Sequence, residues 1–390
     1  MDRTILHLNV ADFAAAVERR LDSALRDRPL VIAPPAGARA PVFDMSEEAF
    51  REGVRKGMPL AEALRRCPTA RHLPPRFERY ERAMAALRKA ADPWSPRVEA
   101  GPADGHLFLD MTGTSRLFGP PVDVAWRLRK SLREILGAPP AWSVAPNRLT
   151  AKVATRLAKP SGEYVVGAGE EAEALAPVPL PLVPGIEAAE QAALADLNLR
   201  RAGQVAALDG PALQTVLGRR ARFVHEAVRG VDPSPVRSAA DIPPRVRREH
   251  LFGRDTADPA RLRAGLWRLC EGAGTALRKA RMSAGKVTVT VEFTDGMRTV
   301  RRRRIFPATA DDRRLFHAAE TGLRPVWGRR VRVRRLTLAC DRLVFPPAQL
   351  DLFPDESAAS VRRTALLHAL DAIRDRFGPD AVQTGRGLAA

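Results

Sequence analysis

The stretch HLNVADFAAAVE, residues 7–18, places polar side chains where a short apolar strand runs into an alanine-rich helix. Enzymes that act on nucleotides often carry acidic metal ligands at such a junction, because hard divalent cations prefer carboxylate oxygens. Here the strand offers Asn9 and Ala11, and the nearest carboxylate, that of Asp12, follows it. The residue types leave two interpretations: this junction is an active site, or it is a former active site that has lost its metal ligands.

A second set of residues that could bind a ligand consists of arginines on two strand-like stretches nearer the C-terminus. TVRRRRIF (299–306) and GRRVRVRRLTLAC (328–340) contain no acidic residue. Arginines on the exposed face of an antiparallel sheet form a surface that can follow a phosphate backbone, whereas a merely solvated face would intersperse acidic residues. The pattern favours nucleic-acid binding by Arg301, Arg302, Arg303, Arg304, Arg329, Arg330, Arg332, Arg334 and Arg335.

The N-terminal part of the chain alternates strand patterns with helical ones. Residues 1–10 predict a strand and 12–27 a helix, for which Asp12 is a suitable N-cap. Further strands are predicted at 29–32, 41–43, 106–113 and 141–147, and further helices at 46–56, 59–66, 77–91, 122–137 and 148–159. Strands and helices around a small mixed sheet indicate a ferredoxin-like α/β layout.

A proline-rich segment, APVPLPLVPGI (176–186), marks a boundary, beyond which short helices follow one another. Their spacing is that of a helix-hairpin-helix module, whose backbone amides can bind a phosphate without reading sequence. Gly185 of the hairpin is predicted to contact DNA. Glu187, however, stands where a second glycine is usual, and a carboxylate there opposes phosphate binding.

The last folded block follows an exposed basic linker, predicted for residues 231–250 because they show no helical or strand period. Within the block, KVTVTVEF (286–293) alternates strictly between apolar and polar residues. The alternation predicts one buried face formed by Val287, Val289, Val291 and Phe293.

Length and composition limit the class of protein. A chain of 390 residues should divide into two to four domains, and it has no apolar run of membrane-spanning length. Three widely spaced cysteines argue against a disulfide framework or zinc cluster and suit a reducing cytoplasm. The net charge of +19 predicts a polyanionic partner, nucleic acid by default, although arginine among abundant alanine and proline also fits a GC-rich genome.

Taken in order, these features resemble Y-family translesion DNA polymerases, close to the DNA polymerase IV type. The matching motifs are HLNVADFAAAVE (7–18), GVRKGMPLAEALRRCP (53–68), LFLDMTG (107–113), SVAPNRLTAKVATRLAKPSG (143–162), LVPGI (182–186) and HEAVRGVDP (225–233). The resemblance implies an α+β multidomain, right-hand architecture. Its parts are a ferredoxin-like palm (1–10 and 75–165), fingers (11–74), a helix-hairpin-helix thumb (166–232), the basic linker (233–250) and an α/β little finger (251–345).

Polymerases of this family use two divalent ions, held mainly by carboxylates, to align and neutralise the reactants of phosphoryl transfer. The family's Asp-x-Asp motif falls on Asn9 and Ala11. Its Asp-Glu pair, aligned without a gap, falls on Gly105 and His106. The resemblance thus implies a palm without its metal-ligand carboxylates, in which no catalytic residue, metal or other cofactor is expected.

The nucleotide-binding positions of the family are replaced as well. The aromatic residue that excludes a ribose 2′-hydroxyl falls on Ala14, and the Tyr-x-x-Arg that grips the triphosphate falls on Glu47 and Phe50. Lys159 is a retained triphosphate contact, but a surface lysine that caps the C-terminus of its helix is the simpler interpretation.

An alternative metal site stays open. With a one-residue gap in the alignment, Asp104 takes the first place of the Asp-Glu pair, and Asp12 and Asp110 lie nearby in sequence. In that case the protein would be an active, error-prone translesion polymerase that requires Mg²⁺.

The tail after the little finger, residues 346–357, contains AQLDLFPDE and resembles the bacterial sliding-clamp-binding peptide. Leu352 and Phe353 can fill an apolar pocket on the clamp while Gln349, followed by Leu350, forms a hydrogen bond beside it. The last segment, 358–390, predicts an amphipathic helix with an apolar face of Leu366, Leu367, Leu370 and Ile373. This helix either docks a partner or covers the body of the protein.

The sequence is best interpreted as a non-catalytic member of the Y-family, similar to the ImuB accessory proteins of bacterial mutasomes. The expected partners are primer-template DNA, the replicative sliding clamp, a catalytically active translesion polymerase and a RecA-like accessory protein, in the bacterial cytoplasm near the nucleoid. The alternatives are the active polymerase with a displaced metal site and a DNA-binding protein that does not use the clamp.

Overall fold

A computed structural model describes residues 2–34, 40–238, 241, 245–295, 297–323, 331–345, 358–378 and 381–387. The chain forms two compact units, Met1–Ile242 and Pro243–Ala390. None of the helices in these described ranges combines the length and the apolar composition that spanning a membrane would need.

The first unit contains eight described strands and twelve described helices. The strands are β1 (Ile5–Asn9), β2 (Leu30–Ile32), β3 (Asp44–Met45), β4 (Arg71–Leu73), β5 (Val98–Ala100), β6 (His106–Asp110), β7 (Ala141–Ala145) and β8 (Glu163–Val165). The helices are α1 (Phe13–Leu21), α2 (Glu47–Arg51), α3 (Leu60–Arg66), α4 (Phe77–Ala91), α5 (Ser115–Phe118), α6 (Pro121–Leu136), α7 (Arg148–Leu157), α8 (Glu171–Leu175), α9 (Ala188–Asp196), α10 (Ala202–Ala206), α11 (Gly210–Leu217) and α12 (Ala221–Val228).

A five-stranded sheet in the order β5-β6-β1-β7-β8 forms the centre of this unit, with β1 buried along its whole length. Alternation along β1 separates two layers. Leu6 and Leu8 pack into the core shared with α4 and α6, whereas Ile5 belongs to the cluster that includes α7. Each fully buried leucine contributes about 1.5–3 kcal/mol. The alternation therefore turns His7 and Asn9, on the same side as Ile5, toward α7.

A smaller sheet, β3-β2-β4, carries the region predicted as fingers. Two predicted helices here are too long. The helix predicted for 12–27 ends at Leu21, because the Asp22 side chain accepts a hydrogen bond from the Ala24 amide and begins a separate 3-10 turn. The helix predicted for 46–56 ends at Arg51, before Gly53 takes a left-handed φ of +87°. The strand predicted at 41–43 lies instead at Asp44–Met45.

The short helices α9 to α12 follow the proline-rich boundary, as the sequence predicts, and α8 precedes it. They enclose their own core, in which apolar residues of these helices and of the connections between them meet two residues of α7. Its largest buried members are Leu149, Val153, Leu175, Val178, Leu180, Ile186, Leu194, Leu213 and Val224.

The second unit is an antiparallel sheet in the order β11-β10-β12-β9, with two helices against one face. The strands are β9 (Val246–Thr256), β10 (Ser283–Phe293), β11 (Arg298–Thr309) and β12 (Val333–Val344), and the helices are α13 (Pro259–Lys279), α14 (Asp312–Leu323) and α15 (Ala358–Phe377). The buried face predicted for β10 is confirmed, since Val287, Val289, Val291 and Phe293 are all nearly inaccessible. The linker prediction for 233–250 is wrong at its end, because residues from Val246 onward pair with β12.

Helix α15 covers the body of the second unit with only part of the predicted apolar face, of which Leu370 is half-buried. Leu367 and Asp371 are buried, whereas Leu366 and Ile373 are exposed. Ion pairs dominate the contact: the Arg278 Nε donates to Asp371 at 2.6 Å, and Arg374 pairs with Glu271 at 3.0 Å. The helix is oriented by charge, which a hydrophobic pattern does not record.

Candidate functional site

At the strand-to-helix junction singled out by the sequence, uncharged side chains form a chain of hydrogen bonds in the interior. Asn9 and His106 face each other across β1 and β6. His7 Nε2 hydrogen-bonds His106 Nδ1 at 3.0 Å, and His7 Nδ1 hydrogen-bonds Thr155 Oγ1 at 2.8 Å. Thr155 Oγ1 continues the chain to Ser143 Oγ at 2.7 Å. The two imidazoles stack with ring centres 5.1 Å apart.

Both histidines of this chain are held neutral. Desolvation by burial, together with the positive charges of Lys152 and Lys159, lowers the pKa of His106 to about 2. Desolvation and the neighbouring His106 lower the pKa of His7 well below its ordinary value. The position that a family glutamate would occupy therefore carries an uncharged ring.

Asn9 and Gly105 likewise carry no negative charge at two of the family's metal-ligand positions. Asn9 is 1% exposed, and among the described residues its Oδ1 has no hydrogen-bond partner. Gly105 has φ +76°, and a Cβ placed on it would lie 2.8 Å from both Phe13 Cβ and the Val10 carbonyl oxygen. An aspartate would be strained at this position and would clash with the backbone. Ala11 is partly exposed and has no ligand atom on its side chain.

The three alternative carboxylates are not brought together. Asp110 lies opposite Ile5, four residues along the β1–β6 register from the Asn9–His106 pair, which corresponds to roughly 13 Å. Its Oδ1 accepts a hydrogen bond from the Thr112 amide. Across the part of the chain that is described, no group of three or more histidine, cysteine, aspartate or glutamate side chains could hold a metal ion.

Asp12 and Asp104 remain at the junction, each in a different charge environment. Burial raises the pKa of Asp12, and the nearby carboxylate of Asp44 raises it further. Burial also raises the pKa of Asp104, against the charges of Lys152 and Lys56, while its Oδ1 accepts a hydrogen bond from the His106 amide at 3.1 Å. Desolvation thus disfavours the ionised form that a metal ligand needs.

Asp44, which the sequence prediction missed, performs the role assigned to Asp12. Asp12 occupies the predicted N-cap position of α1, but its side chain makes no capping hydrogen bond. The Asp44 Oδ2 instead accepts from the Ala14 amide at 2.8 Å, and its Oδ1 pairs with Lys56 Nζ at 2.8 Å. The only sequence signal for this role of Asp44 is a carboxylate inside the apolar stretch PVFDM.

Ala14, at the position of the aromatic residue that excludes a ribose 2′-hydroxyl in the family, is fully buried.

Basic side chains gather on the α7 side of the junction. Lys152 and Arg156, four residues apart, share one face of α7, and Lys159 follows in the turn after the helix. Desolvation of its ammonium, with the charges of Lys56 and Arg156, lowers the pKa of Lys159 to about 8, although the residue as a whole is exposed. Within the described ranges Lys159 donates no hydrogen bond to a carbonyl of α7, so the predicted cap is not formed.

Glu47 and Phe50, at the two triphosphate-gripping positions, are engaged locally. Glu47 forms an ion pair with Arg51 at 3.2 Å on the surface of α2. The Arg55 guanidinium lies 3.9 Å from the centre of the Phe50 ring. The side chains at these two positions are an acid and an aromatic ring, and neither carries the charge of the family arginine.

In the hairpin predicted to bind phosphate, side chains of the protein itself form hydrogen bonds with the backbone. Gly185 has φ +86°, and its carbonyl oxygen accepts from Arg220 Nη2 at 2.6 Å. The Glu187 amide at the start of α9 donates to Glu190 Oε2 at 2.8 Å. Two carboxylates therefore stand at this helix N-terminus, which disfavours an anion there.

The strand register of the second unit divides the arginines of β11 between two sides. Arg302 and Arg304 lie opposite Thr288 and Lys286, whose strand has its alternate residues in the core, so they point to the uncovered face of the sheet. The backbone of Gly322 in α14 lies close to Arg301 and Arg303, on the helix side. Arg301, Arg302, Arg303 and Arg304 are all exposed.

The arginines of β12 are partly neutralised, which corrects the expectation of a face free of acidic residues. Arg335 lies 3.5 Å from Glu249 and 3.7 Å from Glu292, and Arg334 lies 3.9 Å from Asp255. These carboxylates come from the neighbouring strands β9 and β10. Arg332 is exposed. The predicted DNA contacts Arg329 and Arg330, and the predicted clamp residues Gln349, Leu350, Leu352 and Phe353, lie outside the described residues.

Comparison with solved structures defines the class of protein. The chain matches a Y-family DNA polymerase chimera with a TM-score of 0.75 at 21% identity, over 88% of this chain and 99% of that one. It matches DinB from Sulfolobus solfataricus with a TM-score of 0.61 over the same shares. The fold is that of the Y-family polymerases.

Comparison of sequences identifies the family. The model of the impB/mucB/samB family matches residues 8–156, and the model of its C-terminal domain matches residues 243–352. DNA polymerase IV of Caulobacter vibrioides is 31% identical over 392 residues, covering 99% of this chain and 94% of that protein. DNA polymerase IV of Dehalococcoides mccartyi strain CBDB1 is 29% identical over 98% and 97%. The chain belongs to the impB/mucB/samB family of Y-family translesion DNA polymerases.

Proposed function

We propose that this protein is a DNA-binding, clamp-tethered Y-family homologue that acts as a non-catalytic accessory factor in translesion synthesis and damage-induced mutagenesis. It would hold primer-template DNA independently of sequence in the bacterial cytoplasm, at the nucleoid. From there it would bring an active translesion polymerase, with a RecA-like accessory protein, to the damaged template.

The observation that carries this proposal is the replacement of every family metal-ligand position by an uncharged residue. Two-ion phosphoryl transfer needs carboxylate oxygens around both cations. The junction instead offers the Asn9 amide and the neutral imidazole of His106. Lys152 and Lys159 add positive charge around these groups, and it opposes the binding of divalent cations.

Positive charge outside the predicted palm supports DNA binding. The chain carries a net charge of +19. The exposed Arg302 and Arg304 form no ion pair with any described residue and lie on the uncovered face of the β11-β10-β12-β9 sheet. Such a surface gains affinity by releasing counterions from the phosphate backbone, without reading bases.

The clamp tether rests on the sequence of the tail. Gln349, Leu352 and Phe353 follow a basic domain and are flanked by Pro346, Pro347 and Pro354. A clamp contact and a DNA contact on one chain reinforce each other, because binding at one site raises the effective concentration at the other.

A second candidate function is error-prone synthesis with Mg²⁺ held by Asp12 and Asp104. The specific observation that favours it is the name of the relatives: proteins 29–31% identical over nearly the whole chain are named DNA polymerase IV. A third, clamp-independent DNA binding, would leave the tail motif without a role.

Primer extension distinguishes the first two candidates. The purified protein, with primed template, four deoxynucleotides and either Mg²⁺ or Mn²⁺, should shift the DNA in a gel but not extend the primer. Asn9→Asp combined with Ala11→Asp should not restore extension, because Gly105 has no space for a third carboxylate and Glu47 and Phe50 still replace the triphosphate grip. Extension by the unmodified protein, beyond that of a mock preparation from the same host, would favour the displaced metal site. Extension by the double variant alone would show that the changes at residues 9 and 11 are sufficient to silence the palm.

A further inference from the structure

A basic groove lies at the edge of the second unit, between strand β11 and helix α14, and differs from the uncovered sheet face. It encloses about 530 Å³, within the range of sites that hold a small ligand. Its lining includes Arg303 from the strand side and Arg313, Arg314 and His317 from the helix side. Arg304 also borders it at the edge of the sheet, although the strand register directs that side chain to the uncovered face. None of the residues that line it is acidic.

The carboxylates closest in sequence to the groove are already neutralised. Asp311 pairs with Arg363 at 2.8 Å, and Asp312 pairs with Arg278 at 2.7 Å. By contrast, no described residue forms an ion pair with Arg303 or Arg313, both of which are exposed. The groove therefore has an uncompensated positive charge, unlike the paired arginines of β12.

An aromatic ring stands at the rim of the same groove. Phe306 is 96% exposed, the most exposed of the large apolar side chains in the described chain. Complete exposure of an aromatic ring to water is unfavourable, and a planar partner that stacks on it would relieve the cost. Cationic side chains beside an exposed aromatic ring are the combination that binds an unpaired nucleotide.

We propose that this groove binds single-stranded DNA, with an unpaired base stacked on Phe306 and its phosphates held by Arg303 and Arg313. In a duplex both faces of each base are covered by its neighbours, so an aromatic platform selects unpaired bases. An acidic peptide would satisfy the arginines but would leave the exposed ring without a stacking partner. The site goes beyond the accessory role proposed above and does not depend on whether the palm is catalytic.

Fluorescence anisotropy with the full-length protein tests the proposal, using a labelled oligothymidylate and, separately, a blunt duplex. Phe306→Ala should weaken oligothymidylate binding by roughly 5- to 150-fold, because stacking is worth about 1–3 kcal/mol per base, and should leave duplex affinity unchanged. Phe306→Trp should preserve binding and add a fluorescence signal that the oligonucleotide quenches. Arg303→Ala with Arg313→Ala should weaken binding and reduce its salt dependence.

Phe377→Ala is the matched control, because it removes a ring that is 68% exposed on α15. If Phe306→Ala behaves like this control, the ring does not stack on a base and the proposal is overturned. An equal loss for the duplex would also overturn it, since the site would then not select unpaired bases. Competition by polyglutamate as strong as that by unlabelled oligothymidylate would indicate an acidic protein partner instead.

Discussion

The stacked imidazoles of His7 and His106 fill the strand-to-helix junction with uncharged groups. A site built from several carboxylates has to offset their mutual repulsion with cations or protons. Here the hydrogen bonds run through uncharged groups, from Ser143 through Thr155 to the two rings. The Asp44 carboxylate, which remains, is balanced within the protein by the ammonium of Lys56. Ser143, Thr155 and the two imidazoles therefore form a hydrogen-bond network without a charged member.

The neutral histidines predict that the first unit loses stability in acid. The unfolded chain binds a proton near pH 6.5, whereas burial lowers the pKa of folded His106 to about 2, so stability present above pH 6.5 is lost as the pH falls. Between pH 7 and 5 this difference is about 2 kcal/mol. The opening free energy of β1 amides, measured by hydrogen exchange, should fall by about that much more in the wild type than in His106→Gln.

An exposed histidine provides the comparison for this experiment. His368→Gln on α15 should leave the pH dependence of β1 opening at the wild-type value. If His106→Gln and the wild type lose the same opening free energy between pH 7 and 5, His106 is not held neutral by its surroundings.

At the scale of elements, the strand register decides which arginines are available to DNA. Arg302 and Arg304 lie on the uncovered face without an ion-pair partner among the described residues, whereas Arg335 is shared between Glu249 and Glu292. Arg302→Ala with Arg304→Ala should lower the salt dependence of duplex binding by about two units of log affinity per log salt concentration, roughly 0.9 for each phosphate that the protein no longer neutralises.

Arg334→Ala with Arg335→Ala is the charge-matched control for that prediction. Because these two side chains already face carboxylates, their removal should change the salt slope less. A slope that is unchanged by Arg302→Ala with Arg304→Ala would place the duplex contact elsewhere on the protein.

The same sheet shows how far the sequence predicts structure. Alternation in KVTVTVEF predicts the buried face of β10, because a single strand has a period of two whatever its neighbours are. The ion pairs of β12 could not be predicted, since Glu249 lies 86 residues from Arg335 and only the strand order brings them together. The face of α15 was missed for a related reason, because Arg278 and Glu271 on α13 orient that helix by charge.

The candidate site also has features that the sequence predicts and features that it does not. The family resemblance places Asn9 and His106 at metal-ligand positions, and the register of β1 and β6 pairs the two residues. The contact between the Lys56 ammonium and Asp44 depends on how the smaller β3-β2-β4 sheet folds, and no motif in the sequence indicates it. Local pattern thus predicts which residues line the palm but not which charges compensate one another there.

At the scale of the whole molecule, the proposed role requires two attachments on one chain, to DNA and to the clamp. Each attachment can be weak, because a second contact made from the same chain benefits from an effective concentration and can raise the overall affinity by about 10² to 10⁴. The +19 charge alone would bind any duplex. A clamp contact would restrict that affinity to DNA on which a clamp is loaded.

Leu352→Ala with Phe353→Ala tests this arrangement, because both side chains would fill the apolar pocket of the clamp. The double variant should lose binding to the isolated clamp, keep wild-type affinity for naked duplex, and bind clamp-loaded DNA about a hundredfold more weakly than the wild type. Surface plasmon resonance on the three substrates gives all three values. Leu366→Ala removes an exposed leucine of α15 and should change none of them. Unchanged clamp affinity in the double variant would leave DNA contacts as the sole basis of recruitment.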